Sequence, residues 1–415
     1  MSVEVQRVWV LGMSAARSVF GSRSGRHARV FEPDPLYGTD RPRPMAWSRS
    51  ARRLSERLVR PELDRPIADY DAGFVERYIP NVSSLLPPSL ADQLHDGCRW
   101  VDTLPRGAFA RAVEEPMVLD LSWSSSRLEG VSLSRRQAQG HFSLGSLIQD
   151  PRSAHDEEVR MLLNHKRAIE YMVQAAPNQR FGLELVLAIH DLLMEGLMPD
   201  PLDQGRVLEH EVDINGARFE PEQDSARLRD LLVLILEKAQ AIRHPVEAAF
   251  FLWVQIPYLQ AFGDGNKRTS RLMANVPLLL RNCAPITFEG IDEHDYRLAM
   301  LGVYEHQDPA IAIDLFEHTY RKSIRKYMAV LASRPRLDAR AAQLSPVLRR
   351  VVRDVVVGRR SAAASVAFAD LPPEDAKELG EMLALRLRTL ASRHSDRFDI
   401  DEAAIDSWIA AGRPQ

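Results

Sequence analysis

Apolar residues recur at spacings of three and four positions along most of the chain between about residues 85 and 328. This spacing places them on one face of an α-helix, because a helix completes a turn about every 3.6 residues. The clearest segments of this kind are Glu157–Ala175, Leu183–Met198, Ser225–Arg243, Pro245–Leu259 and Lys267–Arg281. The pattern therefore predicts an all-α (mainly α) fold class.

One short segment departs from the helical pattern. Apolar and polar residues alternate over Val212–Ile214, Asn215–Gly216 gives a tight-turn signal, and Ala217–Phe219 follows. Alternation around an Asn-Gly pair is typical of a β-hairpin, and a plain surface turn is the alternative. In a mostly helical domain such a hairpin is a candidate lid or binding edge.

The two ends of the chain differ from its middle. Residues 1–60 are rich in arginine and proline, which predicts a poorly ordered arm or loosely packed extension, or a basic patch that touches a partner. The C-terminal part is again helical, and Leu344–Val357 carries Arg349, Arg350 and Arg353 on its polar side. A DNA-binding helical module and an ordinary solvated helix face both fit that pattern.

Composition and charge narrow the function classes. The 415 residues are 45% hydrophobic and 27% charged, which is typical of a globular protein, and the net charge of −3 gives no general attraction to nucleic acid or anionic lipid. Cys98 and Cys283 are too few for a disulfide framework, so we expect small core residues in a reducing compartment. No apolar stretch approaches the roughly 20 residues that span a bilayer, and we expect a cytoplasmic protein without a membrane partner.

The segment Phe262–Arg271 carries the clearest chemistry. Glycines at 263 and 265 let the backbone turn so that successive N–H groups point into one hollow, and the helix that follows directs its positive dipole end there. Arg268 and Arg271 lie three positions apart and emerge near one face. This combination suits a polyphosphate, and Asp264 offers an oxygen ligand for Mg²⁺. A helix cap with solvated charges is the alternative reading of the same residues.

The segment resembles the signature of the Fic (Fido) family, His-x-Phe-x-Asp/Glu-Gly-Asn-Gly/Lys-Arg-x-x-Arg. The residues that match in register are Phe262, Asp264, Gly265, Asn266, Lys267, Arg268 and Arg271. Upstream, residues 125–130 resemble the inhibitory motif of the family, Ser/Thr-x-x-x-Glu-Gly/Asn, through Ser125, Glu129 and Gly130. Residues 119–130, 163–170 and 302–305 are also similar to a bacterial subgroup of the family.

The resemblance extends from about Arg77 to Tyr327 and implies four parts. Residues 1–75 form an N-terminal extension, residues 76–140 form helices that include the inhibitory motif, residues 141–328 form the Fic core, and residues 329–415 form a C-terminal helical extension. The implied fold is the helical Fic fold, with the hairpin near Val212–Phe219 as its flap.

The resemblance also implies a role for each matching residue. The cofactors would be ATP and Mg²⁺, with Asp264 as the metal ligand and the amides near Gly265, Asn266 and Lys267 around the phosphates. Arg268 would lie nearby, and Arg271 would bind the γ-phosphate. The carboxylate of Glu129 would pair with Arg271 and compete with that phosphate. A protein substrate would dock by strand addition on the 212–219 hairpin.

One departure from the signature bears on catalysis. Gln260 occupies the position of the family histidine, which accepts the proton of the target hydroxyl, and a carboxamide does not titrate near neutral pH. The sequence does not place His190, His210, His294 or His306 relative to the loop, and His244 belongs to the far end of the preceding helix. Lys267 stands where many AMP-transferring members have glycine, so the transferred group stays open.

Four functions follow from these residues. The first is a protein adenylyltransferase that is inhibited by Glu129 and impaired by Gln260. The second is a nucleotide sensor without catalysis, and the third is an enzyme that removes AMP. The fourth, a DNA-binding regulator, has the weakest support, and we do not expect a nucleic-acid partner. A homodimer is left open.

Overall fold

The computed structural model describes residues 45–99, 106–144, 154–177, 181–208, 217–333, 339–392 and 395–413, and residues Arg43–Gln415 form one compact unit. The helices are α1 (Arg49–Leu58), α2 (Gly73–Glu76), α3 (Pro88–Cys98), α4 (Ala108–Ala112), α5 (Glu114–Arg127), α6 (Arg135–Leu144), α7 (Ala154–Ala175), α8 (Leu183–Met194), α9 (Ser225–Ala241), α10 (Pro245–Leu259), α11 (Asn266–Met273), α12 (Asn275–Leu280), α13 (Glu293–His306), α14 (Ala310–Ser333), α15 (Ala339–Val356), α16 (Ala362–Ala367), α17 (Pro373–Thr389), α18 (Ser395–Phe398) and α19 (Glu402–Ala410). The mainly helical fold class predicted from periodicity is confirmed.

Helix α10 is the centre of the main core. Every residue from Pro245 to Leu259 is buried, and α3, α9, α11, α12 and α13 all pack against this helix. A helix that is apolar on all sides needs such an enclosing shell. The chain leaves α10 at Gln260 and enters the candidate site directly, so a fully buried helix supports it.

The helix predicted over Lys267–Arg281 is two helices in the structure. Helix α11 ends at Met273 and α12 begins at Asn275. Pro277 explains the break, because proline has no N–H to donate one turn back and its ring collides with the preceding turn. The prediction of one continuous helix was therefore wrong.

Residues 45–60 are packed rather than arm-like. In α1 the side chains of Ala51, Leu54 and Leu58 are buried, and the helix packs against α13 and α14. The abundance of arginine on the exposed side concealed this apolar face in the sequence. The rest of the predicted arm, residues 1–44, lies outside the described residues.

A short parallel strand pair lies beside the helices. Strand β1 (Ala68–Asp69) pairs with β2 (Phe219–Glu220), with Ala68 opposite Phe219. Of the predicted hairpin, residues 212–216 lie outside the described residues. The described remainder contributes β2, whose partner comes from the N-terminal extension.

The C-terminal helices have a core of their own. Residues of α15, α17 and α19, among them Val352, Leu383 and Trp408, form an apolar cluster separate from the main core. Helix α14 continues to Ser333, so the boundary predicted at residue 329 falls inside a helix. Arg349, Arg350 and Arg353 are exposed, as the amphipathic pattern predicts. Within the described parts of the chain, the search for a helix long and apolar enough to cross a membrane finds none.

Candidate functional site

The loop between α10 and α11 is closed by the side chain of Asn266. Its Oδ1 accepts from the Phe262 amide at 3.0 Å, and its Nδ2 donates to the Phe262 carbonyl at 2.7 Å and to Gln260 Oε1 at 2.9 Å. Gly265 has φ of 77°, and a Cβ there would lie 2.6 Å from Met194 Sδ. The loop therefore needs glycine at 265 for both conformation and space.

The first turn of α11 presents unbonded amides. The first helical hydrogen bond runs from the Thr269 amide to the Gly265 carbonyl at 2.8 Å. The N–H groups of Asn266, Lys267 and Arg268 precede it and donate to no acceptor within the described residues. Three amides at the positive end of a helix form a favourable position for an anion.

Two buried arginines add charge at the same place. Arg268 and Arg271 are only 4% and 0% exposed. Arg268 Nη2 lies 2.7 Å from Asp264 Oδ2, while Arg271 donates from Nε to Ser125 Oγ at 2.8 Å. Nε and Nη1 of Arg268 and Nη1 of Arg271 are buried without a hydrogen-bond partner in the part of the chain that the structure describes. Each unmet buried donor costs about 1–3 kcal/mol, more when charged, so these three atoms fit a bound anion.

Glu129 neutralises part of this charge from the neighbouring segment. Its Oε1 lies 2.7 Å from Arg271 Nη2 and its Oε2 lies 3.3 Å from Lys267 Nζ. Gly130, with φ of 88°, lets the chain turn just after the glutamate at the end of α5. Burial alone would raise the pKa of Glu129, but Arg271, Lys267 and Arg268 outweigh it and lower the pKa to about 2. The structure thus has the Glu129–Arg271 contact that the sequence predicts, and adds Lys267 as a second partner.

Comparison with known proteins identifies this region. Residues 180–278 match the model of the Fic/DOC family. This part of the chain is a Fic/DOC domain. The resemblance inferred from the signature motif is confirmed for the domain.

The chain is also similar to curated relatives and solved structures. It is 22% identical over 275 residues (65% of this chain, 62% of the relative) to "Protein adenylyltransferase Fic" of Nematostella vectensis. It is 26% identical over 196 residues (46% and 37%) to the protein of the same name from Aedes aegypti. The chain thus spans less than two thirds of the length of these relatives.

Among solved structures, Fic-1 (residues 134–508) from C. elegans gives a TM-score of 0.47 at 20% identity, covering 59% of this chain and 72% of that one. A Fic family protein from Desulfovibrio desulfuricans G20 gives 0.44 at 18% identity, covering 80% and 93%.

Gln260 of the Fic domain is held on all its polar atoms. It adopts the left-handed conformation, with φ of 56°, as the last residue before the loop. Its Nε2 donates to the Pro257 carbonyl at 2.7 Å and to Tyr304 Oη at 3.3 Å, and its Oε1 accepts from Asn266. An amide in this position braces the loop and orients its neighbours, and it cannot take up a proton.

One histidine named in the sequence analysis does lie at the loop. His190 stacks on Phe262 with ring centroids 4.0 Å apart, its Nδ1 accepts from the Gly205 amide at 3.1 Å, and its Nε2 donates to the Asp264 carbonyl at 3.0 Å. Burial lowers the pKa of His190 to about 4. Both ring nitrogens are engaged, so His190 supports the loop and does not replace the missing base.

The other named histidines take different positions. His244 caps the start of α10 and His294 lies in the first turn of α13. His306 ends α13, with Nδ1 3.2 Å from Arg57 Nη2. His210 lies outside the described residues. His165, with Nε2 2.8 Å from Ser125 Oγ, also belongs to the site, and nothing in its local sequence indicates that contact.

Asp264 is the exposed member of the site. Its side chain is 61% exposed, and its carboxylate binds the Gly265 amide and Arg268. Among the described residues no group of three or more His, Cys, Asp or Glu is arranged to hold a metal ion. A single carboxylate can hold Mg²⁺ when water molecules and phosphate oxygens of a bound nucleotide supply the remaining ligands.

The segment that contains the predicted flap is tied to the site at both ends. The Leu208 amide donates to the Ala261 carbonyl at 2.9 Å, just before the undescribed residues. After them, Phe219 stacks on Tyr304 with centroids 5.5 Å apart. Tyr304 also accepts a hydrogen bond from Gln260. The Tyr304 side chain therefore lies between strand β2 and Gln260, the residue at the position of the family histidine.

The ion pair of Glu129 predicts a pH dependence of stability. Its pKa falls from an ordinary value of 4.5 to about 2 on folding, so the ion pair stabilises the protein above pH 4.5. That contribution is lost as the pH falls from about 4.5 through about 2. We expect the difference in urea midpoint between the wild type and Glu129→Gln to be largest above pH 5 and to shrink toward pH 3. A difference that stays constant over this range would contradict the pKa of Glu129.

Proposed function

We propose that this chain is a Fic-type ATP-binding protein that transfers AMP to a protein hydroxyl, is inhibited by Glu129, and is slow because Gln260 is not a base. The observation that carries the nucleotide site is the set of buried, unpartnered guanidinium nitrogens on Arg268 and Arg271 beside the open amides of α11. A triphosphate supplies acceptors for all of them at once. The adenylyltransferase names of the curated relatives support AMP as the transferred group.

Inhibition of AMP transfer follows because Glu129 and the γ-phosphate of ATP compete for the guanidinium group of Arg271. Arg271 Nη2 already donates to Glu129, so a γ-phosphate that takes this donor must displace a carboxylate whose charge lies in a mostly buried position. Lys267 remains beside Glu129 at 3.3 Å and gives the displaced carboxylate a second cation. ATP bound without this displacement would lack its γ-phosphate contact and lie in an unreactive position.

Mg²⁺ fits the site beside the phosphates. Asp264 would hold it after its carboxylate leaves Arg268, and the ion would neutralise charge on the leaving pyrophosphate. Arg268, once released from Asp264, would have its whole guanidinium group available for the phosphate chain.

The chemical step forms a bond from the target hydroxyl oxygen to the α-phosphorus while the bond to the β-phosphate breaks. Pyrophosphate leaves, and the hydroxyl proton must pass to water because Gln260 cannot accept it. We propose that the target docks by strand addition at the 212–219 segment. One edge of β2 is taken by Ala68–Asp69, so a target strand must use the other arm of the flap or displace β1.

Removing Glu129 tests the inhibitory role. In Glu129→Gly we expect ATP to bind about tenfold more tightly or better, because one charge-assisted hydrogen bond, worth about 1.5–3 kcal/mol, becomes available to the phosphate. Isothermal calorimetry with ATP and Mg²⁺ measures the affinity, and labelled AMP incorporation measures transfer.

Glu289→Gly is the matched control, because Glu289 is similarly buried and ion-paired, to Lys322 and Lys326, but contacts no site residue. It should leave ATP affinity unchanged. Equal affinities of the wild type and Glu129→Gly would contradict inhibition by Glu129. Absence of ATP binding in both would contradict the nucleotide site itself.

A nucleotide sensor without catalysis is the second candidate. The five hydrogen bonds that brace the side chains of Gln260 and Asn266 favour it, because they hold the loop in place without any base. Tight ATP binding by Glu129→Gly with no AMP incorporation would identify the sensor. Measurable incorporation would favour the transferase.

A further inference from the structure

A buried histidine lies behind the arginine that the proposed function assigns to the γ-phosphate. His165 of α7 is 0% exposed and faces α5. Its Nδ1 lies 2.8 Å from the Met161 carbonyl oxygen and 3.2 Å from Ser126 Oγ, and its Nε2 lies 2.8 Å from Ser125 Oγ. Ser125 Oγ is in turn the acceptor for Arg271 Nε. The three side chains form a continuous chain of hydrogen bonds.

The direction of each hydrogen bond in this chain follows from the chemistry of its atoms. A carbonyl oxygen can only accept, so the 2.8 Å contact with Met161 requires a proton on Nδ1 of His165. The Ser126 hydroxyl, at 3.2 Å from the same nitrogen, can accept as well as donate and is compatible with that proton. Burial, together with the charges of Arg268 and Arg271, lowers the pKa of His165 to about 3, so Nε2 carries none at neutral pH. Nε2 must then accept, and the hydroxyl proton of Ser125 points to His165.

This assignment leaves only lone pairs of Ser125 Oγ on the side of Arg271. With Nε bound there, Nη2 of Arg271 reaches the Ser125 carbonyl at 3.1 Å and Glu129 at 2.7 Å. Among the described residues Nη1 has no hydrogen-bond partner, and the guanidinium carbon lies 5.2 Å from the centroid of the Tyr296 ring. If the Ser125 hydroxyl were turned around, its proton would face the Nε proton of Arg271, and the guanidinium plane would lose this support.

We propose that His165 is a positioning residue for anion binding: it orients the Ser125 hydroxyl, which fixes the guanidinium plane of Arg271 and so keeps Nη1 available to the phosphate. The proposal rests on the proposed function for the identity of the anion. The orientation of Ser125 itself depends only on the contacts of His165. An apolar residue at 165 would fill the same space between α5 and α7 but would leave the hydroxyl free to rotate.

Nuclear magnetic resonance of the imidazole nitrogens tests the orientation. We expect His165 to be neutral with its proton on Nδ1 throughout pH 5–8, and Ser125→Ala to shift the Nε2 resonance because its hydrogen bond is lost. His190 should not respond to Ser125→Ala. A proton on Nε2, a titration of His165 near its ordinary pKa, or an unchanged Nε2 signal in Ser125→Ala would each overturn the proposal.

Calorimetry with inorganic tripolyphosphate tests the positioning effect, in the Glu129→Gly background so that the competitor is absent. We expect His165→Phe to weaken binding about tenfold, as loss of one hydrogen bond to a charged group does. His165→Gln, which offers an amide oxygen to Ser125, should recover most of the affinity. Leu162→Ala is the control, because it loosens the apolar cluster at α7 and removes no hydrogen bond of His165.

The outcomes separate the two claims. Equal affinity of His165→Phe and its parent, no recovery in His165→Gln, or an equal loss in Leu162→Ala would overturn the positioning role. If tripolyphosphate binds to none of the variants, the proposed function fails. In that case the positioning claim is decided by hydrogen exchange of the Arg271 Nε–H with solvent, followed by nuclear magnetic resonance. Faster exchange in His165→Phe than in His165→Gln supports the claim, and equal exchange rates overturn it.

Discussion

Replacing Gln260 by histidine in the Glu129→Gly background should raise the rate of AMP transfer roughly 10²–10⁴-fold, the range that a general base contributes. Nε2 of Gln260 donates to the Pro257 carbonyl at 2.7 Å. An imidazole at 260 can make the same contact through an Nδ1 proton, which leaves Nε2 unprotonated and available to the hydroxyl. Its ordinary pKa of about 6.5 lets it accept a proton at neutral pH.

Incorporation of labelled AMP into a protein lysate or into the chain itself measures this gain. Gln260→Asn is the matched control, because it keeps a carboxamide and adds no base, and it should not raise the rate. With Glu129 present, Gln260→His should gain far less, since ATP would remain in its unreactive position. A double variant that binds ATP as tightly as Glu129→Gly but transfers AMP no faster would show that more than the base is missing.

Local chemistry made the turn between α10 and α11 predictable. Gly265, Asn266 and the two arginines lie within ten residues, and the physics of a helix start and a glycine turn acts over that distance. The boundaries of α10 were also predicted well, because Pro245 fixes its start and the run of apolar residues ends at Leu259. Signals of this kind are carried by neighbouring residues and need no tertiary information.

The parts that were missed depend on residues far apart in the chain. Lys267 and Glu129 are joined across the fold, and His165 meets Ser125 only because α5 and α7 pack side by side. The sequence predicted a role for the Lys267 amide, and its side chain was noted only as a departure from glycine. The structure pairs that side chain with the Glu129 carboxylate. The strand partner of Phe219 likewise came from residue 68, which no local pattern could indicate.

Arg271→Gln should lower both the affinity for tripolyphosphate and the free energy of unfolding. Arg271 is 0% exposed and contributes a charged donor to the phosphate, so we expect roughly 10²-fold weaker binding of tripolyphosphate. The same change leaves Glu129, whose side chain is 13% exposed, without its closest cation. Breaking a buried ion pair in this way costs up to roughly 3–5 kcal/mol, less the support that Lys267 still gives. Urea unfolding measures the second effect independently of the first.

The two effects separate in the Glu129→Gly background. There no carboxylate is left unpaired, so Arg271→Gln should destabilise the protein much less, while the loss of tripolyphosphate affinity should remain in full. The coupling between the two substitutions in unfolding free energy then measures the ion pair. Additive changes in stability would mean that Glu129 and Arg271 do not depend on each other in solution, and inhibition by competition for Arg271 would lose its physical basis. An Arg271→Gln variant that still binds tripolyphosphate like its parent would move the anion site away from this residue, to the amides of α11 and Arg268.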